Sequence, residues 1–144
     1  MTPTEVALAY LASFSSGDPE RVAAWVTDDF ANNQMGVLGS RFKGRDLYRE
    51  RLGAFLGRFR GLRYAPGATV SEGRHVVVPY VMTATDEGRP ISIDGIMLIT
   101  VHDGLVSARA DYWDGLSYCQ QMGIEVLPVP KDHTKGQEGA ESDR

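Results

Sequence analysis

The sequence predicts an α+β domain in which N-terminal helices pack on one face of a curved antiparallel sheet and enclose a pocket. Apolar residues recur at helical spacing up to about residue 60 and at strand spacing after it. The turn signals Pro66-Gly67, Gly73, Gly88 and Asp103-Gly104 then divide the second half into short segments, as an antiparallel meander requires. The last of these segments, Leu105 to Trp113, carries two ionisable residues, Arg109 and Asp111, in an otherwise strand-like run.

Thr2 and Glu5 stand at capping-box spacing with Pro3 between them, which starts a first helix carrying Val6, Tyr10, Leu11 and Phe14. Ser15-Ser16-Gly17 ends it, and Asp18-Pro19 opens a second, short helix with Val22, Trp25 and Val26. The polar stretch Asn32 to Gly44 reads as a short strand or loop. A third helix follows from Arg45 to about Arg60, apolar along Leu47, Tyr48, Leu52, Phe55, Leu56 and Phe59. Gly53, Gly57 and Gly61 form a stripe that would let another backbone approach closely. Strands are expected over Leu62–Ala65, Ala68–Glu72, His75–Thr85, Ile91–Val101 and Leu105–Trp113, with Pro79 marking a bulge or an edge. A short helix after Asp114 closes the domain, which spans residues 1–128. Residues 129–144 hold little that could be buried and read as a disordered polar tail.

Composition narrows the function classes. The chain has 144 residues, suiting one domain, with 42% hydrophobic residues and a net charge of −4. The basic residues cluster between Arg41 and Arg63, but the acidic overall balance argues against a nucleic-acid surface, so the cluster reads as a solvated helix face. No apolar run approaches the ~20 residues of a membrane span, and the N-terminus lacks signal-peptide character, so a cytoplasmic location is expected. The single cysteine, Cys119, excludes an intrachain disulfide and has no local histidine partner. Histidine and cysteine spacings suggest no metal site and no glycine-rich loop suggests a phosphate, so no cofactor is expected.

Alternation along Leu105–Trp113 puts Leu105, Ser107, Arg109, Asp111 and Trp113 on one face and Val106, Ala108, Ala110, Tyr112 and Asp114 on the other. Arg109 and Asp111 are thus same-face neighbours, either an exposed ion pair or the polar floor of a pocket. Trp25, Tyr80, Met97 and Trp113 are candidates to line such a pocket, with Asn33 as a polar contact. Segments His75–Thr85 and Ile91–Val101 are apolar on both faces. Ile96 and Leu98 therefore need a cover that the helices cannot give, and a homodimer through the outer sheet face is expected.

Four runs together resemble the SnoaL-like branch of the nuclear transport factor 2 superfamily, a cone-shaped α+β fold shared with ketosteroid isomerases and limonene-epoxide hydrolases. They are T-D-D-F-A-N-N at Thr27–Asn33, G-R-D-L-Y at Gly44–Tyr48, I-D-G at Ile93–Gly95, and D-G-L-V-S-A-R-A-D-Y-W-D at Asp103–Asp114 followed by Q-Q-M-G. The resemblance implies an inward-facing Asp111, where the epoxide hydrolases place an acidic catalytic residue. Their Arg-x-Asp pair is missing from His75–Thr85, and their water-holding tyrosine and asparagine are only loosely matched by Phe30, Asn32, Asn33 and Gln34. Asp94 resembles the oxyanion-side aspartate of the isomerases, whose base position holds Asn32, Asn33 or Gln34 here. SnoaL-type cyclases need only a carboxylate on the last long strand, and Asp111 meets that requirement.

The expected function is a small cofactor-independent acid/base enzyme of isomerase, cyclase or hydrolase type, acting on an apolar carbonyl- or epoxide-containing metabolite. Asp111 is the acid/base, Arg109 its electrostatic partner and Asp94 a second carboxylate. The alternative is a non-catalytic, dimeric ligand-binding or scaffold domain on the same fold. Whether Arg109 and Asp111 face a closed cavity separates the two.

Overall fold

The computed structural model describes residues 1–126, so the expected polar tail at 129–144 lies outside the described residues. Helix α1, Pro3–Ser13, begins in the expected capping box, with Thr2 Oγ1 accepting from the Glu5 amide and Glu5 Oε1 from the Thr2 amide. A single 3₁₀ turn, Phe14–Ser16, ends at Gly17 in the left-handed region, and Asp18 caps α2, Pro19–Ala23. Helix α3, Arg45–Arg58, buries Tyr48, Leu52 and Leu56, and α4, Gly115–Met122, is capped by Asp114. Among the described residues no helix is long and apolar enough to cross a membrane.

The strands are β1 (Val26–Gln34), β2 (Arg41–Lys43), β3 (Phe59–Pro66), β4 (Val70–Glu72), β5 (His75–Asp86), β6 (Arg89–His102) and β7 (Leu105–Trp113). They form one curved sheet in the order β2-β1-β7-β6-β5-β3, with β4 paired beside β3 on the far end of β5. The core lies between this sheet and α1 and α3. Tyr10, Leu11, Phe14, Phe30, Val76, Val78, Ile93, Met97 and Ile99 are all essentially inaccessible there.

Several expectations need correction. The sheet is mixed, because β1 runs parallel to β7. Val26 opens β1 instead of continuing α2, and the polar stretch from Thr27 is a full strand despite its Asp and Asn content. What holds it is pairing on both sides and the burial of Val26, Phe30 and Asn32. Along β7 the alternation slips by one: Val101 pairs with Val106 but Thr100 with Ala108, so Ser107 is the extra residue of a bulge. Val106 therefore faces the core, and the inner face resumes at Arg109, Asp111 and Trp113.

Pro79 sits inside the regular β5–β6 ladder at neither edge nor bulge. Its carbonyl accepts from Gly67, so its nitrogen faces the gap where β4 pairing stops and β3 pairing begins, and no acceptor there is left waiting. The glycine stripe brings no backbone close: a Cβ at Gly53 or Gly57 would meet open space, and Gly61 is a positive-φ residue in β3.

Candidate active site

Strand β7 delivers the two ionisable residues and its neighbours supply everything around them. On one side β1 runs parallel, setting Asn32 beside Arg109 and Gln34 beside Asp111. On the other, β6 sets Met97 opposite Asp111 and Gly95 opposite Trp113. Strand β5 adds Tyr80, paired with the other side of Gly95.

Asp111 is only 3% exposed and both its oxygens are engaged. Tyr80 Oη donates to Oδ1 at 2.6 Å and Arg109 Nη2 to Oδ2 at 3.3 Å. Arg109, 4% exposed, donates through Nη1 to Tyr10 Oη at 2.8 Å and Tyr48 Oη at 3.4 Å, and its guanidinium lies 5.6 Å above the Phe14 ring centre. Tyr10 and Tyr48 are themselves hydroxyl to hydroxyl. Burial works against the Arg109 charge, but the oxygens of Tyr10, Tyr48 and Asp111 outweigh it and hold its pKa above the ordinary value. Burial also raises the phenols of Tyr48, Tyr64 and Tyr80, and the Asp111 carboxylate raises Tyr80 further. The phenols thus stay protonated and Tyr80 remains a donor across the physiological range.

Above this network opens a cavity of about 380 Å³. Phe55, Phe59, Tyr64, Met82, Ile93 and Trp113 give it apolar walls, and Tyr80, Arg109 and Asp111 form its polar floor, the constitution of a small-molecule site. Gln34 completes the wall, accepting from Trp113 Nε1 at 3.1 Å.

Of the sequence candidates, Asp111, Arg109, Tyr80 and Trp113 meet here. The others do not. Asp94 is exposed on the outer sheet face, as its place between buried Ile93 and half-buried Gly95 dictates. Asn33 pairs with Ala110 on the face away from Asp111, and Asn32 and Gln34 take the inner positions. Met97 is fully buried beneath the network, outside the cavity lining, and Trp25 packs in the turn before β1.

Gly95 explains how Tyr80 reaches Asp111. The phenol lies across the place where a side chain would stand, so a Cβ at Gly95 would collide with it and come within 2.9 Å of the Tyr112 carbonyl. The I-D-G run matters here through its glycine.

The sequence profile of the SnoaL-like domain matches residues 7–109. The chain belongs to the SnoaL-like domain family. No curated protein matches it in sequence. Among solved structures, a hypothetical protein with a ketosteroid isomerase-like fold from Catenulispora acidiphila, bound to trimethylamine, is similar at a TM-score of 0.78 and 17% identity, over 90% of this chain and 100% of that one. A putative polyketide cyclase from Pseudomonas putida is similar at 0.74 and 20% identity, covering 84% and 98% of the two chains. An epoxide hydrolase of the LEH-like type from M. tuberculosis is similar at 0.73 and 19%, covering 83% and 87%. At these identities the likeness establishes the fold that the sequence motifs imply.

This SnoaL-like domain also carries a second tyrosine–aspartate–arginine group that sequence reasoning missed. Asp86, fully buried at the end of β5, accepts from Arg58 Nε at 3.0 Å and from Tyr118 Oη at 2.6 Å, and Arg58 and Tyr118 line the cavity. It ties α3 and α4 to the sheet at the cavity. Its members lie 28 and 32 residues apart, so no local motif could announce it.

Two measurements check the site. In a double-mutant cycle, Gly95→Ala and Tyr80→Ala should couple by about 1–3 kcal/mol in chemical denaturation, because removing the phenol removes most of the overpacking that the methyl introduces; additive costs would show that the ring does not rest on the glycine. The buried phenols also set an alkaline limit. Their folded pKa values stand above the ordinary value of 10.0, so the unfolded chain ionises first. The contribution of these phenols is fully present below about pH 10, and stability should fall above it by roughly 1 kcal/mol per pH unit for each such tyrosine, with a shallower slope in Tyr48→Phe.

Proposed function

We propose that this SnoaL-like domain is a cofactor-independent acid/base catalyst, of isomerase, cyclase or hydrolase type, for an apolar metabolite carrying a carbonyl or epoxide. One observation carries the reading: a buried carboxylate, Asp111, held by a phenol and a guanidinium at the floor of an apolar cavity. On a carbonyl substrate Asp111 removes the proton on the carbon next to the carbonyl and returns it at the product carbon. Tyr80 and Arg109 hold the carboxylate in one orientation and balance negative charge as it moves onto the substrate oxygen. On an epoxide the same carboxylate takes the proton of an attacking water as the water oxygen bonds to a ring carbon and that carbon's bond to the epoxide oxygen breaks, and it then returns the proton to the alkoxide. The aromatic walls exclude bulk water from either reaction. The similar polyketide cyclase and epoxide hydrolase folds support both chemistries equally.

A second observation favours a dimer. Val77, Val81, Ile96, Leu98 and Tyr112 are 36–52% exposed on the outer sheet face. Val77 pairs with Leu98 and Ile96 with Tyr112, so they form one contiguous apolar surface across β5, β6 and β7. A second copy of the chain, meeting its own face across a two-fold axis, covers it.

Two probes with reacting groups of the proposed kinds, 2-tetralone and styrene oxide, test the catalytic reading. Proton exchange next to the carbonyl of the first, followed in D₂O by NMR, or ring opening of the second, should be accelerated by the protein. Asp111→Asn should slow the accelerated reaction at least about 100-fold with KM little changed, since the amide fills the same space but cannot exchange the proton. The variant should also lose up to about 3 kcal/mol of stability, because Arg109 is left without its buried partner. An Asn variant with full activity overturns the role of Asp111, and no acceleration of either probe favours the ligand-binding alternative. For the dimer, light scattering at micromolar concentration should give twice the 15.8 kDa chain mass, and Ile96→Lys should return it to one; a wild-type monomer removes that proposal.

A further inference from the structure

A second chamber of about 210 Å³ adjoins the main cavity, the two sharing Gln34, Phe55 and Arg109 in their linings. Its chemistry differs. Asn32, Ser40, Tyr48, Arg51 and Arg109 line it, so it presents two guanidiniums and, among the described residues, no carboxylate. We propose that this chamber is a subsite for a carboxylate group of the substrate, whose apolar body occupies the main cavity; the inference rests on the reading of that cavity as the substrate site.

Arg51 is the first reason. Along α3 the other arginines are neutralised: Arg45 by Asp28, Arg49 by Glu20 and Asp46, Arg58 by Asp86. Arg51 has no carboxylate within ion-pair distance among the described residues. Its guanidinium instead stacks 4.6 Å from the centre of the Phe42 ring. A stacked guanidinium keeps its planar edge of N–H donors free, which is the geometry that grips a carboxylate in two parallel bonds.

The second reason comes from deeper in the same wall. Arg109 Nε and Asn32 Oδ1 are buried polar atoms with no hydrogen-bond partner among the described residues, and the two residues stand side by side across β7 and β1. Leaving such groups unpaired costs ~1–3 kcal/mol each. A half-turn of the Asn32 carboxamide exchanges Oδ1 for Nδ2 at nearly constant shape and sets a donor in that place. Arg109 is a lining residue of both chambers, with Nη2 on the Asp111 carboxylate and Nε buried and unpaired among the described residues.

Calorimetric titration with 2-naphthoate and with 2-naphthamide, which share shape and differ in charge, tests the subsite directly. The carboxylate should bind at least roughly tenfold tighter than the amide, and the ratio should shrink as salt is raised. In Arg51→Gln the ratio should fall to about one with the amide's affinity unchanged, and in Asp111→Asn it should persist. Equal binding of acid and amide to the wild type, or a preference retained in Arg51→Gln, overturns the subsite and leaves the main cavity's role standing. Failure of both probes to bind overturns the two together.

Discussion

The buried charge of Arg109 is the constraint around which this domain is organised. A guanidinium taken out of water costs several kcal/mol unless its donors find partners, and three separate elements supply partners for its two terminal nitrogens. Helix α1 sends Tyr10, α3 sends Tyr48, and β7 returns Asp111 two residues along its own strand. The same contacts that solvate the charge therefore fix how the helices sit on the sheet. A polar network of this kind specifies one arrangement more sharply than an apolar core does, because each partner lost leaves a buried charge less than satisfied.

Around that centre the aromatic residues form a continuous set of edge-on and tilted contacts. Phe14 meets Tyr10, Phe55 and Tyr64, and Tyr64 meets Tyr80. Rigid rings leave a void where flexible aliphatic side chains would fill it, and Gly95 lets the Tyr80 ring lie across it at the floor beneath that void. The cavity thus follows from what the rings and the glycine cannot fill, and the polar floor is where the sheet's inner face runs out of apolar residues. Fold stability and site geometry draw on the same side chains here, which is why a substitution at Tyr80 or Tyr48 touches both.

Much of this was legible in the sequence, for local reasons. The D-G pair at Asp103-Gly104, both with positive φ, turned the chain where its sequence said it would, and the two-residue period placed Arg109 and Asp111 together. The capping residues Thr2, Asp18 and Asp114 likewise marked their helices. What escaped was set by contacts distant in sequence. Strand β1 has a polar composition that reads as loop, and only its place between β2 and β7 makes it a strand, so Asn32 and Gln34 could not be told from Asn33 as the inward pair. The bulge at Ser107 is invisible to a strict alternation, and Asp86 finds Arg58 only when α3 meets the end of β5. Asp94 is the opposite case: its alternation with Ile93 already pointed it outward, and the resemblance to isomerases drew attention to the wrong residue of the I-D-G run.

The parallel pairing of β1 with β7 has a consequence for how the molecule comes into being. Tyr10 and Arg109 stand 99 residues apart, and β1 waits for a partner strand that ends the domain's sheet. Long-range closures of this kind slow folding, because the loop entropy is lost before the contacts that reward it can form. On a ribosome the first helices and β1 would emerge before the strands that complete their packing, leaving apolar side chains exposed to aggregation while the sheet is being synthesised. The polar floor of the cavity would then take shape late, when β7 docks and carries Arg109 to its tyrosines, with α4 still to close the wall.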